Sequence, residues 1–203
     1  MTVRVTLITP ATSEALRGVR FDDDSPLDPE ALARTEALAG AVGRDLPAFA
    51  SPSLRCRRTA EALGLAAEPL AAIAPCDMGR WRGRTLDSVA ASEEEAVMTW
   101  LTDPAASPHG GEPLRQFRER VGAWLDSLDD RSGRIVAVAE PDIVRASLVH
   151  VLSAPDQAFW RFDVRPLHAT DLSGRRRRWN LSVGRPLTHD GDARTDPGVP
   201  PTT

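Results

Sequence analysis

The chain has 203 residues, 41% of them hydrophobic and 27% charged, with a formal net charge of −4. That length supports one domain with one substantial core, and the negative balance argues against a dedicated nucleic-acid binder. All 25 basic residues are arginine, and lysine and tyrosine are absent, which excludes a Schiff-base lysine, a lysine general base, a P-loop lysine and a tyrosine acid. Two cysteines, Cys56 and Cys76, are too few for a disulfide framework and point to a reducing, cytoplasmic setting. No segment reaches 18 uninterrupted apolar residues, so no membrane span is expected. The first residues run into a strand without a charged-then-apolar signal region.

In chain order, Val3–Ile8 (VRVTLI) is β-branched and apolar, the pattern of a central strand. Pro10 ends it, because it cannot continue a ladder, and Thr12 is placed to cap a short helix through Arg17. An acidic loop, Phe21–Ser25, leads to a helix expected over Pro29–Gly43 with Ala31, Leu32, Leu38, Ala39 and Val42 on its apolar stripe. Leu46–Ala50 reads as a short buried strand. Ser51 is then a candidate N-cap with Pro52 at the first helical position, for a helix through Leu63 that Gly64 stops. Such a handover aims free N–H groups and Arg55 at the carboxyl edge of the sheet, where open α/β folds bind anions.

Glu68–Ile73 reads as a short extended piece, and Cys76–Leu86 as a compact loop in which Gly79 and Gly83 bracket a packed Trp81. A helix over Ser92–Leu101, a Pro- and Gly-rich loop over Asp103–Gly111 and an amphipathic helix to about Leu128 follow. Arg134–Ala139 is a near-continuous apolar strand, and a helix through about Leu152 begins after Glu140-Pro141-Asp142. Ala158–Arg165 is aromatic-rich. His168–Leu172 and Trp179–Val183 read as a closing hairpin with Arg175–Arg178 at its tip. Residues 188–203 carry no apolar pattern and are expected to form a disordered tail to a domain spanning 1–187. Strands followed repeatedly by helices imply a three-layer α/β/α sandwich around a mostly parallel sheet. The segments after the strands at 3–8, 46–50 and 134–139 should converge.

Five stretches together resemble the histidine phosphatase superfamily, the phosphoglycerate mutase-like group that includes α-ribazole phosphatases. They are Val5–Thr12, Arg20–Leu27, Ser51–Ala60 (SPSLRCRRTA), Asp77–Leu86 with GRWRGRTL, and Gly110–Glu112 leading to Val136–Ala146. The resemblance covers roughly residues 3–185 and implies the phosphoglycerate mutase-like fold. It also implies a chemistry: a histidine nucleophile in an arginine-histidine-glycine triplet after the first strand, two arginines and a second histidine around the phosphohistidine, and a carboxylic acid for the leaving oxygen. Carried over residue by residue, the triplet falls on Thr9, Pro10 and Ala11, the acid on Pro75 and the second histidine on Glu140; only the helix arginine matches, as Arg55. Loss of a nucleophile typically costs on the order of 10⁶ in rate. A carboxylate at about 4 Å repels a phosphoryl oxygen by roughly 4 kcal/mol per unit charge at a surface-like dielectric. The phosphohistidine mechanism is therefore not expected of this chain.

The residues expected around the pocket are Thr9, Pro10, Arg20, Arg55, Cys76, Arg82, Glu140, Asp142 and His168. Arg20 matches an arginine that the family places near substrate, and Arg20 and Arg82 are expected to line the mouth. Asp142 also suits the cap of the following helix. Cys76 and Asp77 beside Glu140 carry no metal-ligand spacing, so no metal or cofactor is expected. Of the histidines, His109 and His168 are placed to reach the pocket mouth, His150 lies on a helix face and His189 in the tail. Two readings follow. One is a pseudoenzyme that binds a small molecule or a protein partner, as a monomer or homodimer. The other is a repurposed enzyme in which Glu140, oriented by Arg55, is the catalytic group for acid/base or metal-assisted chemistry on a small organic acid or biosynthetic intermediate. Neither reading calls for nucleic acid or a membrane.

Overall fold

The computed structural model describes residues 2–13, 18–21, 24–43, 45–129, 131–175 and 178–188. Its strands are β1 (Val3–Ile8), β2 (Ala48–Ala50), β3 (Glu68–Pro69), β4 (Arg134–Val138), β5 (His168–Arg175) and β6 (Arg178–Pro186), in one sheet ordered β3-β2-β4-β1-β5-β6. β3, β2, β4 and β1 pair in parallel, and β5 and β6 close the sheet antiparallel. The mostly parallel α/β sheet read from the sequence is thus correct, with an antiparallel hairpin on one flank.

Alternation along the central strands builds two cores. Val3, Val5 and Leu7 of β1, with Ile135 and Ala137 of β4, face a cluster formed with helices α5 (Leu114–Ser127) and α6 (Pro141–Val151). Ile8, Val136 and Val138 face the other way, onto Cys56 and Ala60 of α2 (Leu54–Ala62) and Leu63 at its C-cap. Period-two side chains on a strand covered on both faces demand apolar residues at successive positions, which is why VRVTLI and RIVAV read as buried strands. Helix α1 is Pro29–Glu36, shorter than the expected Pro29–Gly43. Its apolar stripe continues into turns, and Leu38 and Val42 still pack against the α2 core. The short helix expected from Thr12 through Arg17 lies largely outside the described residues.

Other boundaries also move. The N-cap of α2 is Ser53, whose hydroxyl accepts from Cys56 N at 3.3 Å. The expected cap, Ser51, instead prolongs the strand pairing by donating its N–H to Val138 O at 2.8 Å. The expected helix over Ser92–Leu101 is α4 (Glu94–Thr102), and a helix not expected from the sequence, α3 (Leu86–Ser92), precedes it across a break at Glu93 with φ −144°. The extended piece over Glu68–Ile73 keeps only two strand residues before a 3₁₀ turn at Ala71–Ile73. The closing hairpin is longer than expected, and Arg176 and Arg177 at its tip lie outside the described residues. Leu187 is buried and donates its N–H to Leu167 O at 3.2 Å. The tail expected beyond it falls, from residue 189, outside the described residues.

A small lobe forms over the C-terminal side of the sheet around Trp81, which is 0% exposed. Its indole lies 5.5 Å from the Phe21 ring, 5.7 Å from Trp100 and 5.2 Å from His109. Gly79 has φ +47°, and a Cβ there would stand 2.3 Å from His109 O. A Cβ on Gly111 would stand 2.0 Å from Asp77 O, so the two loops touch backbone to backbone. Glu93, at the helix break, accepts from Trp81 Nε1 at 3.1 Å, Arg80 at 2.5 Å and Arg84 at 2.7 Å. These donors, the Trp81 N–H foremost, hold its carboxyl at about 2, below the ordinary 4.5.

Two outcomes follow from this lobe. Trp81→Ala should lower stability by about 3–5 kcal/mol, the usual cost of removing a large buried aromatic; an unchanged melting temperature would contradict the packing. Because the folded-state pKa of Glu93 is depressed, its contribution is present above the unfolded value of 4.5 and is lost as pH falls toward about 2. Acid titration of the melting temperature should therefore fall less steeply over that window for Glu93→Gln than for the parent chain.

Candidate functional site

Three chain segments leave the sheet side by side at the C-terminal ends of β2, β4 and β1, as the sequence pattern required. From the β2 exit, Ser53 ends the turn and Arg55 lies in the first turn of α2. From the β4 exit, Glu140 is the N-cap residue of α6, with Pro141 at the first helical position. Its side chain makes no cap bond and reaches across to α2. Arg55 Nη2 donates to Glu140 Oε2 at 2.9 Å and Arg55 Nε to Oε1 at 3.2 Å, a two-point fork. Ser53 Oγ donates to the same Oε1 at 2.7 Å. From the β1 exit, Ser13 Oγ accepts from Arg55 Nη1 at 3.4 Å, and Ala11 N–H donates to Thr59 Oγ1 at 3.1 Å. The two charged side chains are only 6% and 3% exposed.

Beside this pair lies a cavity of about 220 Å³. Of the residues expected at the pocket, Arg20, Arg55, Cys76, Glu140 and Asp142 line it, and Arg82 lines an adjoining cavity of about 310 Å³. Asp142 is tied up structurally: it accepts from Cys76 N–H at 2.9 Å and Ile143 N–H at 2.7 Å, fastening the loop before Trp81 to the start of α6. Burial first, and then the Asp142 and Glu112 carboxylates, push the Cys76 thiol far up, so it stays protonated and is a poor nucleophile or metal ligand. Among the described residues no group of three or more His, Cys, Asp or Glu side chains is arranged to hold a metal ion.

Three expected residues are not in the lining of either cavity. Thr9 is buried, and its hydroxyl donates to Arg165 O at 2.5 Å and accepts from His168 N at 3.1 Å, joining the β1 exit to the loop before β5. Pro10 is buried next to it. His168 turns its Nδ1 to Pro166 O at 2.9 Å, within its own loop. His109 also misses the mouth. It is 1% exposed, its Nδ1 accepts from Gly111 N–H at 3.0 Å, and burial pushes its pKa below the ordinary 6.5. His150 lies on α6 and pairs with Asp126 at 3.1 Å, while His189 is outside the described residues.

The model of the histidine phosphatase superfamily (branch 1) matches residues 11–184. The chain belongs to that superfamily. No curated protein sequence shows significant similarity to it. Among solved structures, a mycobacterial glucosyl-3-phosphoglycerate phosphatase is 20% identical with a TM-score of 0.75, covering 92% of this chain and 100% of its own. The α-ribazole phosphatase from Shigella flexneri is 18% identical with a TM-score of 0.76, covering 90% and 96%. A phosphoserine phosphatase from Entamoeba histolytica is 16% identical with a TM-score of 0.80, covering 92% and 98%. At these identities the likeness shows the fold.

Within the superfamily fold, the sequence reading placed Arg55 and Glu140 correctly as neighbours across two helix starts, yet it missed most of the cavity wall. Phe21, Trp100, Phe159 and Trp160 line it, as does Arg145. Trp100 meets Trp160 edge-on at 4.4 Å, and Trp160 meets Phe159 at 4.9 Å. These rings come from the end of α4 and a 3₁₀ turn at Asp156–Arg161. The aromatic content of Ala158–Arg165 was the one signal available, because nothing in the sequence paired it with Trp100. Ser53 was missed because Ser51 offered an equally good cap.

Proposed function

We propose that the chain is a catalytically degenerate member of the superfamily, a small-molecule-binding or regulatory pseudoenzyme without phosphohistidine chemistry. The observation that carries this reading is the buried Arg55–Glu140 fork. Glu140 already fills the acceptor position on the guanidinium that a phosphoryl group would need, and its own charge repels one. At the end of β1, where the resemblance to the superfamily implies a nucleophile, stand Thr9, Pro10 and Ala11, and proline has no proton to give or electron pair to attack with. The relatives with similar folds are phosphatases by name; this reading keeps their fold and departs from their activity.

A second reading has one observation in its favour: Glu140 and Arg55 both line the open cavity. There Glu140 would act as the acid/base, oriented by Arg55, on a small organic acid or biosynthetic intermediate. Against it, both carboxylate oxygens already accept from Arg55, and Oε1 also accepts from Ser53, which leaves the group poorly placed to collect a substrate proton.

The purified protein should not hydrolyse generic phosphomonoesters above a buffer blank. Stoichiometric acid-labile phosphorylation, or turnover abolished by one pocket substitution, would overturn the reading. Glu140→Gln tests the fork itself. Taking the charge from one partner of a buried ion pair typically costs up to about 3–5 kcal/mol, so the melting temperature should fall. Sulfate should bind more tightly at the same time, because the repulsion is gone and the Arg55 charge is no longer neutralised. No gain in anion affinity would defeat the reading in which Glu140 closes the phosphate position. Little loss of stability would favour the acid/base alternative.

A further inference from the structure

A second charge pattern lies at the other end of the sheet, where β1 and β4 begin. Arg4 sits between Val3 and Val5, which are buried in the α5–α6 core, so the period of two turns its side chain to the opposite face. Arg134, one residue before buried Ile135, is its register partner on β4. The two arginines therefore leave one face side by side, with Cα atoms about 4.8 Å apart. Like charges placed directly opposite one another in a sheet repel. Both side chains are exposed and line an open cavity of about 640 Å³, inside the roughly 300–1,000 Å³ range of small-molecule sites.

The charges on this lining do not cancel. Among the described residues it carries three arginines, Arg4, Arg134 and Arg185, and one acid, Asp171. Asp171 is already engaged: it accepts from Thr6 Oγ1 at 2.6 Å and lies 3.4 Å from Arg185 Nη2. Arg4 and Arg134 are left facing each other. Ser173 stands opposite Arg4, and Asn180 opposite Ser173, so the row passes from two cations to two neutral hydrogen-bonding groups. Val42 and Leu46, from the segment between α1 and β2, add an apolar edge. A monocarboxylate would satisfy one guanidinium and leave the other. A phosphate carries its charge on one centre, so both arms would have to converge on it. A dicarboxylate gives each guanidinium its own planar, two-oxygen partner and keeps the two cations apart.

We propose that this cavity binds a small organic dicarboxylate, with one carboxylate on Arg4, the other on Arg134, and the carbon spacer against Val42 and Leu46. The site lies at the end of the parallel strands opposite the Arg55–Glu140 fork and does not depend on it.

Isothermal titration of the full chain with glutarate, butyrate and inorganic phosphate, at one ionic strength, separates the terms. Glutarate should bind at least about tenfold more tightly than butyrate, the scale of one added charge-assisted contact, and more tightly than phosphate. Arg4→Gln and Arg134→Gln should each bring glutarate down to the affinity of butyrate. Their melting temperatures report whether they fold, and the comparison of ligands on the parent chain stands without them. Equal affinity for glutarate and butyrate, no binding of glutarate at millimolar concentration, or glutarate binding unchanged in both folded variants would overturn the site. Tighter binding of phosphate than of glutarate would overturn the dicarboxylate assignment.

Discussion

The fork between Arg55 and Glu140 is the contact through which the C-terminal edge of the sheet is assembled. It joins the first turn of α2 to the start of α6, two helices that cover opposite faces, and Ser53 and Ser13 bring the β2 and β1 exits into the same set of hydrogen bonds. Two charges this deeply buried are tolerable only because each is met by the other and by neighbouring hydroxyls. The arrangement also sets the electrostatics of the cavity next to it. The charge of Arg55 is met from within the chain by Glu140.

A second dependence runs through the backbone. Gly79 and Gly111 let the loop before Trp81 and the loop before α5 touch without side chains between them, and that contact seats Trp81 under Phe21 and Trp100. The Glu93 cluster then pins the break between α3 and α4 to the indole N–H and two arginines. The aromatic wall of the cavity is the outer surface of this lobe, so the shape of the binding space is fixed by packing some distance from the fork. Asp142 links the two, since it holds Cys76 at the lobe's entry and sits in the first turn of α6, two residues after Glu140.

Seen together, the cavity has an aromatic wall beside an ion pair that is closed within the chain. That combination differs from a site organised around a phosphoryl group, in which positive charge concentrates at the floor. The histidine phosphatase fold supplies the placement of loops; the residues on those loops decide what the space can hold.

Much of this was legible in the sequence because it depends on local pattern. The apolar runs at 3–8 and 134–138 and the start-and-stop signals around α2 and α6 follow from hydrophobic period and helix-end chemistry, which act over a few residues. The convergence of the strand exits followed from the inferred parallel strands, while the meeting of Arg55 and Glu140 was implied by the resemblance to the superfamily, which put both at one pocket. Tertiary structure decided the rest. Whether Ser51 or Ser53 caps α2 turned on which backbone N–H the neighbouring strand claimed. Thr9, Pro10 and His168 lie outside the cavity lining, where the β1 exit spends its polar groups on the loop before β5, a contact 156 residues away in sequence. The union of Phe21, Trp100 and Trp160 into one wall had no sequence signature, since each ring lies on a separate element and only the folded lobe brings them together.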